Sequence, residues 1–250
     1  MYIQSERQII VDYIFPIVTG TIENNNFKIS KFLGTGFLIG NRGYALTCLH
    51  VIENIKDVLG TLFFESGKWA FLPIDKSEYH LTEDVALIHI VNNGYVWKTP
   101  FSISNEKEFG WLDYLMGGYP SDTVWERLIY SEKGLNNLFR PDLISIKGYI
   151  RRDYVGDLEI KGIKGNSFYQ LSTIAGKGCS GSPVFKFSNN KIWSVIGIYS
   201  AEKIIYKGEF EDKYVSTAVS YAVRSTSFAE WKPTILEGIS ILDESQNYFI

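Results

Sequence analysis

Three short segments, far apart along the chain, carry side chains that can run nucleophilic chemistry together. Gly178-Cys179-Ser180-Gly181-Ser182-Pro183 holds a serine between glycines. Ala45-Leu46-Thr47-Cys48-Leu49-His50 ends an apolar run in a histidine, and Asp84-Val85-Ala86-Leu87-Ile88 opens another with an aspartate. A serine hydroxyl is a weak nucleophile until a neighbouring base takes its proton. A carboxylate on the far side of an imidazole fixes the tautomer that can do so. Glycines at 178 and 181 permit a tight turn with no side chain blocking substrate approach. Such a turn can aim the amides of Gly178 and Ser180 at one point, forming an oxyanion hole.

Each fragment also has an ordinary reading. Ser180 can belong to a Gly/Ser hairpin, His50 can be a core histidine bonded to a carbonyl, and Asp84 can be a solvated turn residue like Glu83 beside it. Context favours chemistry. Ser182-Pro183-Val184-Phe185 runs straight into a strand, and His50 falls at a strand end, where a ring can sit in a cleft with one nitrogen free. Asp84 precedes a strand whose apolar residues would bury it, and a buried carboxylate requires donors such as an imidazole N–H. The competing histidines are His80, in a charged loop, and His89, alternating within Val85 to Ile90.

The elements that must position these groups read mostly as short strands. Phe32 to Gly40, Tyr44 to Thr47, Thr61 to Phe64, Trp69 to Leu72 and Val85 to Ile90 come first. Tyr114 to Met116, Leu143 to Ile150, Ser167 to Leu171, Ser182 to Phe187, Ile192 to Tyr199 and Tyr214 to Val223 follow. Many short strands separated by turn residues predict an all-β sandwich or barrels rather than βαβ units. Helical periodicity is confined to Val51 to Val58 and to Ser225 to Trp231, the latter with Ser225 as a cap. The polar stretch Asn92 to Glu108, interrupted by Gly94 and Pro100, predicts a link between an N-terminal unit (1–107) and a C-terminal unit (108–250). Asn24-Asn25-Asn26 and Asn189-Asn190 read as hairpin tips.

Composition narrows the classes. The chain has 250 residues, 45% hydrophobic and 21% charged, with 15% aromatic, which suits sheets. A formal net charge of −3 supplies no general attraction for nucleic acid or an anionic membrane. Two cysteines, Cys48 and Cys179, imply neither a disulfide framework nor a four-ligand zinc site, so no metal or cofactor is expected. Met1 to Arg7 carries charge where a secretion signal has an apolar core, and no window approaches the ~18 apolar residues of a membrane span. The expectation is a cytoplasmic protein without membrane or nucleic-acid partners.

Taken together, these segments resemble the chymotrypsin/trypsin-like serine peptidase family. The order His50, Asp84, Ser180 is the family's order. Thr47-Cys48-Leu49-His50 is similar to its Thr-Ala-Ala-His, Asp84-Val85-Ala86-Leu87 to its Asp-Ile-Ala-Leu, and Gly178 to Pro183 to its Gly-Asp-Ser-Gly-Gly-Pro. Val195 to Ser200 and Val219 to Val223 also resemble family strands. Met116-Gly117-Gly118-Tyr119-Pro120-Ser121-Asp122 and the Ser-Gly-Ser-Pro around the nucleophile point toward bacterial glutamyl endopeptidases and HtrA-type peptidases. The resemblance implies two six-stranded antiparallel β-barrels, an active site in the cleft between them, and a short C-terminal helix. It also implies a serine endopeptidase with His50, Asp84 and Ser180 as the triad, acting on a protein or peptide substrate through an acyl-enzyme. Ser200 matches the family serine that bonds the aspartate.

The chain departs from that pattern in ways that matter. Cys179 stands where secreted members have an aspartate that pairs with a newly cut N-terminus, so that activation switch is absent and the site is either constitutive or ordered by a protein activator. Cys179 as nucleophile falls one residue out of register. The family alignment places Ile174 at the base of the specificity pocket, with Ala175 beside it and Tyr199, Ser200, Ala201 and Glu202 along one wall. An uncharged base predicts cleavage after small or apolar residues. Two other readings are a catalytically silent peptidase-like protein-binding module and a nucleic-acid binder built on Lys147, Arg151 and Arg152. Asp153, Asp157 and Glu159 argue against the second.

Overall fold

The computed structural model describes residues 13–23, 26–65, 68–91, 99–121, 142–186, 193–210 and 213–247. The first six strands are β1 (Ile14–Glu23), β2 (Asn26–Ile39), β3 (Tyr44–Thr47), β4 (Val58–Glu65), β5 (Lys68–Tyr79) and β6 (Ala86–Ile90). They close into an antiparallel barrel in the order β1-β2-β3-β6-β5-β4, with β4 returning to β1. The second half contributes β7 (Phe101–Ile103), β8 (Asp113–Gly118), β9 (Ile144–Val155), β10 (Ser167–Leu171), β11 (Pro183–Lys186), β12 (Trp193–Phe210) and β13 (Lys213–Arg224). Six of these run β11-β8-β9-β10-β13-β12, and the β11–β12 pairing closes the second barrel. The all-β, two-barrel architecture expected from the sequence is therefore present.

Strand β7 lies inside the polar stretch expected to be a link. It pairs in parallel with the start of β12, Phe101 opposite Trp193, on the side that β13 takes over from Gly197 onward. Phe101 is fully buried and packs against Phe37 of the first barrel (ring centroids 6.3 Å) and Phe185 of the second (4.9 Å). One apolar cluster thus spans both barrels, while a second, containing Tyr114, Tyr169 and Tyr199, fills the C-terminal barrel.

Three local readings of the sequence are corrected. Strand β1 is not among the strands read from the sequence; its Pro16 is tolerated since pairing with β4 starts only at Ile17. The helix after β3 is shorter and earlier than expected: α1 covers Leu49–Ile52, and Asn54, at φ 62°, ends the turn before β4 begins. Ser225–Ser227 is a single 3-10 turn in which Ser225 makes no side-chain cap. The C-terminal helix is α2 (Ile241–Gln246), capped by Ser240, whose Oγ accepts from Asp243 N at 3.0 Å. The hairpin tips at Asn24-Asn25 and Asn189-Asn190, Asp122, and Met1 to Arg7 lie outside the described residues.

Helix α2 is fastened to the first barrel by charge. Glu244 is fully buried and accepts from Arg42 Nε (3.1 Å) and Nη2 (2.5 Å) on the β2–β3 turn. Gly40 in that turn has φ 60°, and a Cβ there would lie 2.6 Å from the Glu244 backbone oxygen. Removing the guanidinium strands a buried carboxylate. Arg42→Met is expected to lower unfolding stability by about 2–3 kcal/mol in urea titrations; an unchanged midpoint would show that the pair contributes nothing.

Candidate active site

Sheet register brings His50 and Asp84 together. In the antiparallel β3–β6 pair, Thr47 lies opposite Ala86, so the residues just after β3 and just before β6 are neighbours. Thr47 leads into α1, which carries His50 on its second residue, and Asp84 closes the loop entering β6. The Asp84 carboxylate is fully buried. It accepts the His50 backbone N–H at Oδ1 (3.0 Å) and lies 2.7 Å from His50 Nδ1 through Oδ2. A carboxylate acceptor fixes the proton on Nδ1 and leaves Nε2 of the neutral ring as an acceptor. The imidazole itself is about one-quarter exposed, at 24%.

The second barrel supplies the remaining donor. Ser200 of β12 donates through Oγ to Asp84 Oδ2 at 2.5 Å, and its backbone oxygen accepts from Ser180 Oγ at 3.0 Å. Ser200 is therefore the common neighbour of the carboxylate and the candidate nucleophile. The described hydrogen bond of the Ser180 hydroxyl goes to this carbonyl. All three residues singled out in the sequence converge around one serine.

Ser180 sits in a turn made of its own backbone bonds, Cys179 N to Gly176 O (3.2 Å), Ser182 N to Cys179 O (3.0 Å) and Gly181 N to Tyr199 O (2.8 Å). Gly178 has φ 100° and Gly181 φ 93°, and a Cβ at Gly178 would meet Tyr119 O at 2.7 Å. The amides of Gly178 and Ser180 have no acceptor among the described residues.

A residue that the sequence reading missed holds this turn. Thr35 of β2 is fully buried, and its N–H donates to Ser180 O at 2.8 Å. Its Oγ1 donates to Gly178 O (2.9 Å) and accepts from Tyr119 N (3.0 Å), while its carbonyl accepts from Thr47 Oγ1 (2.7 Å). Thr35 thus ties the nucleophile turn, the Gly117-Gly118-Tyr119 segment and the strand leading to His50. Its only trace in the sequence is its place in Gly34-Thr35-Gly36, where both glycines are needed for clearance. A Cβ at Gly34 would lie 2.8 Å from Ser180 O, and one at Gly36 2.7 Å from the Phe15 ring.

His80 is likewise a builder of the site. Its Nδ1 accepts from the backbone N–H of Glu83 (3.1 Å) and more weakly of Thr82 (3.4 Å), shaping the loop that delivers Asp84. Burial holds its pKa below the usual histidine value, as two N–H donors facing Nδ1 require. His89 instead meets Asp75 at 2.6 Å near the surface, away from this cluster. Glu83 is buried on the other side of the loop, and burial pushes its carboxyl above the usual range.

Around the expected pocket, Ile174 is 40% exposed, and Ala175 and Ala201 are buried. The Tyr199 hydroxyl accepts from Ala175 N (3.0 Å) and donates to Glu202 Oε1 (2.5 Å), which also accepts from Gly176 N (2.7 Å). Burial, reinforced by Glu202, pushes the Tyr199 phenol far up, so it stays protonated. Glu202 therefore joins the β12 wall to the Ile174–Gly176 wall.

Metal binding has one geometric candidate among the described residues: ligand atoms of Cys48, His50 and Asp84 lie within 4.8 Å of one another. The donor set does not suit an ion. Cys48 Sγ already donates to Tyr199 O (3.2 Å), and burial next to Asp84 pushes its thiol well up, away from the thiolate a metal needs. Both cysteines are buried thiols. No helix among the described residues is long and apolar enough to cross a membrane.

With this geometry in place, comparison with known proteins is direct. Residues 34–198 match the trypsin-like peptidase domain family, and the chain belongs to it. The fold is similar to the MamO protease domain from Magnetospirillum magneticum in its apo form (TM-score 0.58, 11% identity, 88% of this chain and 96% of that one). It is also similar to the Rv3671c protease from M. tuberculosis. The active form gives TM-score 0.53 and 16% identity over 85% of this chain and 76% of that one. The inactive form gives 0.52 and 14% over 86% of each. No curated protein matches the chain by sequence.

Two outcomes test the positioning roles. Thr35→Val removes the Oγ1 bonds to the Gly178 carbonyl and the Tyr119 amide and is expected to reduce unfolding stability by about 2–3 kcal/mol, read from urea midpoints; no loss would remove Thr35 from the role of clamp. For His80, a lowered folded pKa means the unfolded chain binds the proton more tightly. Its contribution is thus present above the ordinary value of 6.5 and lost as pH falls from there through the folded pKa. His80→Asn, whose amide oxygen keeps an acceptor without titrating, is expected to flatten that part of the Tm–pH curve; parallel curves for both proteins would exclude the role.

Proposed function

We propose that the protein is a serine endopeptidase in which His50, Asp84 and Ser180 form the catalytic triad. The observation that carries this reading is the chain of contacts centred on Ser200, which gathers a fully buried carboxylate, an imidazole with its Nδ1 occupied, and the serine hydroxyl. His50 Nε2 is then the base. Rotation of the Ser180 side chain away from the Ser200 carbonyl delivers its proton there as Oγ attacks the substrate carbonyl. Catalytic hydrogen bonds commonly tighten only once substrate is bound.

Attack places negative charge on the carbonyl oxygen, and the amides of Gly178 and Ser180 are its donors, each worth about 3 kcal/mol in comparable sites. Collapse of the tetrahedral intermediate passes the proton from His50 to the leaving amine and leaves an acyl-Ser180 ester. Water, deprotonated by His50, repeats the sequence and releases the acid. Asp84 stays ionised throughout and steadies the imidazolium.

Substrate docking uses a free sheet edge. Pairing of β11 with β12 ends at Pro183 opposite Ile198, so from Ser200 onward the edge of β12 turned away from β13 has no strand partner among the described residues. An extended peptide adds there with its scissile bond at Ser180. Side-chain preference follows from the walls. Ile174 offers no charge, and the Glu202 carboxylate is held by Gly176 and Tyr199, which favours a small or apolar residue before the cut.

The rival reading, a peptidase-like module that binds protein without cutting it, has one observation behind it: the Ser180 hydroxyl points to Ser200 rather than to the imidazole. Labelling with a fluorophosphonate separates the two. Wild type is expected to label and to cleave a peptide library after Ala, Val or Leu, and Ser180→Ala to lose both, with turnover falling at least ~10³-fold. Absence of labelling in folded wild type would sink the catalytic reading, and preferred cleavage after Arg would sink the pocket assignment.

A further inference from the structure

We propose that the outer face of the second barrel around β9 is a docking surface for a protein partner. The segment it takes is acidic and carries an aromatic or large aliphatic side chain beside its carboxylates. Two strands separate β9 from β12 in either direction round the barrel, so this face lies opposite the β12 edge. The proposal goes beyond the endopeptidase reading and does not depend on it.

Two large apolar side chains stand in water here on a backbone that is tied down. Phe109 is 79% exposed and Trp111 83%. The segment between β7 and β8 that carries them is anchored at both ends. Glu108 N donates to the Tyr169 hydroxyl (2.9 Å), and the Glu108 carboxylate accepts from Lys186 Nζ (2.8 Å). Trp111 N donates to Ile150 O (2.7 Å), and Leu112 O accepts from Ile150 N (2.9 Å). Between those bonds Trp111 has φ 73°, a left-handed conformation that a bulky L side chain rarely adopts. The ring is thus presented at a cost in both strain and exposed apolar area, a combination that marks an interaction site. Its indole lies parallel to the exposed Tyr149 of β9, with centroids 6.0 Å apart and an interplanar angle of 8°.

Charge beside the rings comes from a bulge in β9. Gln170 pairs with Arg152 and Leu171 with Ile150, so Arg151 is the extra residue. Ile150 is fully buried, while Tyr149 before it and Arg151 and Arg152 after it are exposed. The Arg151 guanidinium has no hydrogen-bond or ion-pair partner among the described residues. Arg152 is oriented through Nε by Gln170 Oε1 (3.1 Å). A cavity of about 380 Å³, lined by Arg151, Arg152, Gln170, Ile205, Thr217 and Val219, adjoins the pair and has room for a side chain.

Charge and residue type select the occupant. Tryptophan, tyrosine and arginine are the side chains that dominate the energetics of protein–protein contacts. Two guanidinium groups suit carboxylates, and the neighbouring rings suit an apolar side chain between them. Nucleic acid fits less well. Asp113 lies opposite Tyr149 and is exposed, and Lys147 is drawn to it at 3.5 Å. A phosphate backbone calls for a longer run of cations than remains. A two-fold dimer through this face would set the arginines of one copy against those of the other.

The test uses the full chain carrying Ser180→Ala, so that no peptide is cut, and a display library of short random peptides. Selected peptides are expected to combine Asp or Glu with Phe, Tyr, Trp or Leu, and labelled copies to bind in anisotropy titrations. Arg151→Glu and, separately, Trp111→Gly are each expected to weaken that binding at least tenfold. Glycine adopts φ 73° without strain, so Trp111→Gly is expected to keep Tm at or above that of the parent, which separates lost docking from lost folding. With Ser180 restored, both changes are expected to leave fluorophosphonate labelling as in wild type. Selected peptides without acids, or binding that survives both changes, overturns the proposal. So does Trp111-dependent self-association in sedimentation, which would give the face to a second copy. Tighter Trp111-dependent binding of single-stranded oligo-dT or of phosphatidylserine vesicles overturns it as well. Acidic-peptide docking in a protein whose wild type is never labelled would leave this surface standing and fail only the catalytic reading.

Discussion

A carboxylate with no exposure to water has to be surrounded by donors, and Asp84 is such a group. Left without partners in a low-dielectric interior it would take a proton or expel itself to solvent. Two of its donors come from α1, through the His50 amide and ring, and the third comes from Ser200 in the other barrel. That division couples the halves of the molecule. The first barrel cannot satisfy Asp84 alone, and the strand that completes it is also the one whose carbonyl receives the Ser180 hydroxyl. Charge burial and assembly of the site are one event.

A second link, of neutral hydrogen bonds, fixes the nucleophile turn. Where secreted relatives are expected to set this turn with a buried ion pair, this chain has Cys179, fully buried, its Sγ 3.4 Å from Ala175 O. Thr35 does the bracing from across the cleft, holding Gly178 through its Oγ1 and Ser180 through its backbone N–H. Its geometry rests on close backbone approach, which the glycines at 34, 178 and 181 permit because any Cβ there would overlap the neighbouring chain.

The parts legible in the sequence were those with strong local chemistry. Ser180, His50 and Asp84 announce themselves by residue type and flanking pattern, and strands such as Tyr44–Thr47 and Ser167–Leu171 fall where β-formers lie between turn residues. What was not legible depends on register. Thr35 is one threonine among many until β2 is set against the Ser180 turn, and His80 reads as a loop histidine until its Nδ1 is seen receiving amides. Strand β1 hides behind Pro16, whose missing N–H is harmless only because β4 does not reach that far. Likewise Arg151 and Arg152 read as part of a solvated strand face, offset by the acids that follow. The bulge at β9, with Arg151 as its extra residue, leaves both exposed.

The organisation of β12 follows from which neighbours it has along its length. Up to Ile198 it is bordered by β11, and it is an interior strand of a closed barrel. From Ser200 onward β13 is its strand partner among the described residues, and its other edge presents N–H and C=O groups. An unprotected edge invites aggregation unless something limits it. Here the limits are chemical. Glu202 is drawn across toward Gly176, and Lys203 is tied to the Leu158 carbonyl at 2.7 Å. Charged side chains held along an edge in this way are unfavourable neighbours for a second, identical strand.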